Sequence, residues 1–125
     1  MEKNVKVLIV EDETITALGI KKDVEKYDDD ISVIIVNNAV DAVITAEKER
    51  PDLIVMDIML KGKLSGIDAA GIISERYNIP VIYLTAYGDD ETYLNAHLTN
   101  PVKIITKPYS KSELLDTINE ILVNY

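Results

Sequence analysis

Short apolar runs alternate with segments of helical spacing five times along this chain, and few folds accept that order. Val5 to Val10, Ile31 to Val36, Leu53 to Met56 (ending at Asp57), Val81 to Leu84 and Val102 to Thr106 read as strands. The segments Thr14 to Tyr27, Ala39 to about Glu49, Ile67 to Tyr77, about Asp90 to Leu98, and Ser110 to Val123 read as helices. The punctuation agrees. Asp28-Asp29-Asp30 is a turn, Asn38 is placed to cap the second helix, and Arg50-Pro51 ends it. Ile58 to Gly66 is a loop, Asn100-Pro101 breaks the fourth helix, and Ser110-x-x-Glu113 opens the fifth as a capping box.

Continuous apolar runs are what strands buried on both faces require, and strict alternation with short connections implies a parallel sheet with right-handed crossovers. The 125 residues suit one domain, residues 1–125, with no linker, repeat or visible output domain. The fold class is therefore α/β: a (βα)5 doubly wound parallel sheet, flavodoxin-like, with strand order 2-1-3-4-5.

Three of the strands run into charge. Val7 to Val10 meets Glu11-Asp12, Leu53 to Met56 meets Asp57, and Val102 to Thr106 meets Lys107-Pro108. In an open α/β sheet the carboxyl edge is where ligands bind, at the point where the strand order reverses. In order 2-1-3-4-5 that point lies between strands 1 and 3, the two that end in Asp12 and Asp57.

Composition narrows the chemistry. The net charge of -9 disfavours nucleic acid as a direct ligand and suits cations or a basic partner surface. There is no Cys, so disulfides and thiol chemistry are excluded. No apolar run reaches membrane-spanning length and the N-terminus lacks a signal-peptide core, so membrane insertion is not expected and the cytoplasm is the default location.

Glu11, Asp12 and Asp57 form an all-oxygen set, which favours Mg²⁺ or Mn²⁺ over zinc. Any one of them alone would read as a solvated acid. An Asp carboxylate can also accept a phosphoryl group. Lys107 supplies a cation for a phosphoryl oxygen, and Thr85 at the end of strand 4 supplies a hydroxyl. Phosphoryl transfer is mostly a positioning and charge-neutralising task, and these groups meet it.

With those residues in place, the chain resembles a receiver domain of the two-component response regulators, over its whole length and most like the single-domain chemotaxis-type members. The match rests on Glu11-Asp12, Asp57, Thr85-Ala86 and Lys107-Pro108 in that order and spacing. The resemblance implies that Asp57 takes phosphate from a phosphohistidine on a sensor histidine kinase or phosphotransfer protein. It implies that Glu11, Asp12, Asp57 and the backbone carbonyl of Met59 hold Mg²⁺, that Thr85 turns toward the phosphoryl group, and that Lys107 bonds to it. It implies a cis Lys107-Pro108 bond. The output would pass to a downstream protein through the face of helix 4, strand 5 and helix 5, where Tyr93, Asn95, Lys111 and Glu113 are the exposed candidates, with the chain a monomer or a phosphorylation-dependent dimer.

Two departures stand out. The family usually has an aromatic residue three positions before the lysine, and here that position is Ile104. The loop after Asp57 lacks the usual Met-Pro pair, is one residue longer, and carries Lys61 and Lys63. Met59 and Tyr87, two residues after Asp57 and Thr85, offer no carboxylate or amide to orient water, so slow self-dephosphorylation is expected. His97, the lone histidine, reads as a surface or partly packed residue. The alternatives are a Mg²⁺-dependent aspartyl phosphatase, which would want an acid where Met59 stands, a flavodoxin-like cofactor binder, and a receiver-like module acting without phosphorylation.

Overall fold

The computed structural model describes residues 4–86 and 95–124. Five parallel strands form one sheet in the order β2-β1-β3-β4-β5. They are β1 (Val5–Val10), β2 (Ile31–Val36), β3 (Leu53–Asp57), β4 (Val81–Thr85) and β5 (Lys103–Thr106). The helices are α1 (Thr14–Tyr27), α2 (Ala39–Glu49), α3 (Gly66–Arg76), the helical residues 95–97, named α4, and α5 (Lys111–Asn124).

Successive strand residues point to opposite faces, and both faces here are covered. Val7 and Ile9 of β1 join Ile20 and Val24 of α1 and Leu114, Leu115, Ile118 and Ile121 of α5 in one core. Leu8 and Val10 join Ala39, Ala42 and Ala46 of α2 and Ala69, Ala70 and Ile73 of α3 in the other. That is why Val7 to Val10 and Leu53 to Met56 are apolar at every position. Truncating Leu8, Ile9, Ile73 or Leu114 to Ala costs about 2–5 kcal/mol, so the sheet is a firm platform for its carboxyl edge.

Several boundaries move by a residue, each for a local reason. Helix α3 starts at Gly66 because Ser65 caps it: its Oγ accepts the Asp68 N–H at 3.1 Å while the Asp68 carboxylate accepts the Ser65 N–H at 3.1 Å. Ser110 is likewise a cap and not the first helical residue, its Oγ accepting the Glu113 N–H at 3.1 Å. Asn38 caps α2 as the sequence indicates, accepting the Asp41 N–H at 2.8 Å. Strand β5 starts at Lys103, one residue after Val102. As an edge strand it buries only Ile105 fully. In α1, Ala17, Ile20 and Val24 face the core, whereas Ile15 and Leu18 stay exposed.

Most of the expected fourth helix, with Tyr93, and the residue Tyr87 lie outside the described residues. His97 is helical and exposed. Tyr83 is fully buried on β4, and its hydroxyl meets Thr99 Oγ1 at 2.6 Å.

Candidate functional site

Parallel pairing brings the last residues of β1, β3, β4 and β5 to one edge. Val10 pairs with Met56, Asp57 with Leu84, and Thr85 with Thr106. The next residue of each strand-end segment therefore reaches the same rim, and Glu11, Asp12, Asp57, Thr85 and Lys107 all arrive there. Backbone bonds continue past the ladder and hold the rim shut: Ile58 N–H to the Leu84 carbonyl at 3.0 Å and Lys107 N–H to the Thr85 carbonyl at 2.7 Å.

Glu11, Asp12 and Asp57 each turn a carboxylate oxygen into the cleft, all within 4.8 Å of one another. Two oxygens bound to one Mg²⁺ at about 2.1 Å stand at most about 4.2 Å apart, so small side-chain shifts suffice to close this set on the ion. Glu11 is 2% exposed, and its Oε1 accepts the Glu13 N–H at 3.0 Å. Its Oε2 is buried without a hydrogen-bond partner among the described residues and lies 3.8 Å from Lys107 Nζ. A buried, unpartnered carboxylate oxygen facing two other acids is what a hard cation would satisfy, so the donor set fits Mg²⁺.

Asp57 is 5% exposed and fully engaged. Its Oδ1 accepts the Met59 N–H at 2.9 Å, and its Oδ2 accepts from Lys107 Nζ at 3.1 Å. Asp12 is half-buried, and its Oδ2 accepts the Lys61 N–H at 3.2 Å. Met59 follows Asp57 with its side chain exposed. Thr85 is buried at the rim, and its hydroxyl donates to the Ala86 carbonyl at 2.7 Å, so its bond is made locally and not to Asp57. The Lys107-Pro108 bond is cis.

The electrostatics follow from three acids and one base in a small volume. Burial first, and then the adjacent Asp57 carboxylate, raise the Glu11 carboxyl from 4.5 to about 7. Burial alone would lower Lys107, but the hydrogen bond and charge of Asp57, with the charge of Glu11, outweigh it and leave the ammonium above its ordinary value.

The Glu11 shift has a sign that can be checked. The folded chain holds this proton more tightly than the unfolded chain. Its contribution is thus fully present below the ordinary carboxylate value and is lost as pH rises through about 7. In EDTA, Glu11→Gln should gain stability relative to the unsubstituted chain as pH rises from 5 to 8, by on the order of 1–3 kcal/mol. Parallel denaturation curves across that range would contradict it.

One residue of the site was legible only as a loop glycine. A Cβ on Gly66 would overlap the carbonyl oxygen of Asp57 and press on Met56 Cγ. The first turn of α3 thus lies directly against the end of β3. Gly66→Ala is expected to destabilise the chain by about 1–3 kcal/mol, read as a lower denaturation midpoint at unchanged slope. An unchanged midpoint would show that the contact relaxes freely. The signal was present in sequence, a glycine immediately after a capping serine, but spacing alone does not show what it touches.

Among the output-face candidates, Asn95, Lys111 and Glu113 are exposed. Lys111 leans the other way, pairing with Asp23 of α1 at 3.4 Å.

Residues 7–119 match the family described as response regulator receiver domain. Over 116 residues the chain is 30% identical to the phyllosphere-induced regulator PhyR of Methylorubrum extorquens, covering 93% of this chain and 43% of that protein. Over 113 residues it is 33% identical to the transcriptional regulatory protein PdtaR of Mycobacterium tuberculosis, covering 90% and 54% respectively. The chain spans about half the length of these curated relatives. Among solved structures, the signal receiver domain of a modulated diguanylate cyclase from Desulfovibrio desulfuricans G20 superposes with a TM-score of 0.86 at 32% identity, over 97% of this chain and 96% of that one.

Proposed function

Because the chain belongs to the response regulator receiver domain family, we propose that it is a phosphoacceptor switch in which Asp57 receives a phosphoryl group from a phosphohistidine of a sensor histidine kinase or phosphotransfer protein. Receiver domains of response regulators are signalling switches and not conventional enzymes. The observation that carries the reading is the state of Asp57: a nearly buried carboxylate, hydrogen-bonded by Lys107 and within reach of two further acids.

In the proposed step a carboxylate oxygen of Asp57 attacks phosphorus. The oxygen–phosphorus bond forms as the donor's phosphorus–nitrogen bond breaks, and the donor ring, protonated on its other nitrogen, takes that electron pair and leaves as neutral imidazole. Glu11, Asp12, Asp57 and the Met59 carbonyl would hold Mg²⁺, which when bound neutralises charge on the phosphoryl oxygens. Lys107 moves its hydrogen bond from the Asp57 carboxylate to a phosphoryl oxygen. Thr85 gives up its bond to the Ala86 carbonyl and donates to another. Each exchange replaces one hydrogen bond by another, so the switch is close to balanced and a single phosphoryl group can tip it.

Apolar surface borders the acids. Leu18, Ile35 and Val36 line a cleft with Glu11, and Ile15 stands 88% exposed at the start of the same helix. We assign this rim to the donor protein, and the face of α4, β5 and α5 to the downstream partner, in a cytoplasmic monomer or a dimer formed on phosphorylation. The net charge of -9 argues against direct nucleic-acid binding by this domain, and among the described residues no helix is long and apolar enough to cross a membrane.

Incubation with acetyl phosphate and Mg²⁺ tests the reading. One phosphoryl mass per chain is expected, and none in EDTA. No mass gain would overturn it, and release of many phosphates per chain would point to a phosphatase. With Met59 offering no group to orient water, the phosphorylated form should persist well beyond seconds, and its decay can be followed in the same spectra.

A further inference from the structure

We propose that the loop between β3 and α3 is a cationic rim that draws the dianionic phosphoryl group of the donor to Asp57, through Lys61 with Lys63 in support. The proposal rests on the phosphoacceptor reading above and adds how the donor is recruited.

The loop is built to hold Lys61 at the edge of the site. Ile58 and Leu60 are buried at 4% and 8%, while Met59 and Lys61 are exposed, an in-out alternation that sends Lys61 outward. The backbone is fastened at both outward residues: Met59 N–H on Asp57 Oδ1 at 2.9 Å and Lys61 N–H on Asp12 Oδ2 at 3.2 Å. Gly62, at φ 116°, then turns the chain away, a conformation other residues rarely adopt. The Lys61 backbone thus sits within hydrogen-bond distance of Asp12, and a stem roughly 6 Å long is enough to bring its ammonium over the acidic cluster.

The rest of the chain makes such a rim useful. A net charge of -9 repels an anionic donor at long range. An ammonium about 7 Å from a dianion raises its local concentration a few-fold at low salt, and hardly at all when the screening length falls to about 3 Å. Lys61 and Lys63 offset part of the negative charge of Glu11, Asp12 and Asp57 at the point of entry.

The test is the initial rate of phosphorylation by acetyl phosphate with Mg²⁺, in the unsubstituted chain and in Lys61→Gln/Lys63→Gln. The substitutions keep the backbone N–H that binds Asp12. The double variant is expected to lose about three- to ten-fold in second-order rate at low ionic strength, through a higher half-saturating donor concentration at unchanged maximal rate. The gap should close near 1 M salt, shrink with the less charged phosphoramidate, and be restored by Lys61→Arg/Lys63→Arg. Equal rates at low salt, a deficit that survives high salt, or no rescue by Arg would overturn the rim. If the unsubstituted chain takes up phosphate from neither donor, the phosphoacceptor reading fails, and the rim fails with it.

Discussion

Asp57→Asn is expected to take up no phosphoryl group from acetyl phosphate and Mg²⁺ at any donor concentration, with its fold retained. An amide has nearly the shape of a carboxylate but neither its charge nor its nucleophilicity, so the acceptor is removed without opening a cavity. Its single carbonyl oxygen can keep one of the two donors that Asp57 accepts, the Met59 N–H or the Lys107 ammonium, and its NH2 group faces the other. The change also removes one of three acids crowded within 4.8 Å, so a denaturation midpoint equal to or above that of the unsubstituted chain is expected. Intact-mass spectra and denaturation curves on one preparation check both halves. Phosphoryl uptake by Asp57→Asn would place the acceptor elsewhere.

Glu11→Gln/Asp12→Asn has the second large effect, and it acts in opposite directions on stability and on function. At about 4 Å and an effective dielectric of about 20, each carboxylate attracts a unit charge by about 4 kcal/mol, and a dication by more, before the ion's desolvation is subtracted. Removing two such charges is expected to weaken Mg²⁺ binding by at least about 100-fold, which corresponds to about 2.7 kcal/mol. Phosphorylation by acetyl phosphate should then need correspondingly more Mg²⁺. The metal-free chain meanwhile becomes more stable above neutral pH, because the carboxylate whose proton leaves near 7 is gone. Magnesium titration of the phosphorylation rate, beside melting in EDTA, reads both. Unchanged Mg²⁺ dependence would remove these residues from the metal site.

The sheet was legible because its central strands are buried on both faces, which leaves unbroken apolar runs, and because three of the five strands run into charge. Val7 to Val10 followed by Glu11-Asp12 is such a case. Once the order 2-1-3-4-5 is adopted, the meeting of Glu11, Asp12 and Asp57 follows from strand register alone. What stayed hidden depends on contacts between residues far apart in the chain. Nothing in the spacing of Gly66 shows that the Asp57 carbonyl lies against it. Nothing in Lys61 shows that its N–H reaches Asp12, forty-nine positions earlier. The Tyr83–Thr99 bond belongs to the same class, since an aromatic in a β-rich run reads simply as core. Boundaries slipped by one residue where a side chain captured a backbone N–H, as Ser65 and Ser110 do.

The central claim, that Asp57 is the residue that carries phosphate, is tested most directly by trapping the modification. An acyl phosphate is reduced by borohydride to an alcohol, which converts a phosphorylated aspartate into homoserine at that position. After acetyl phosphate and Mg²⁺, peptide mass mapping should find homoserine at position 57 alone. Homoserine at position 12, the corresponding reduction product at Glu11, or a phosphoryl group mapped to His97 would contradict the account.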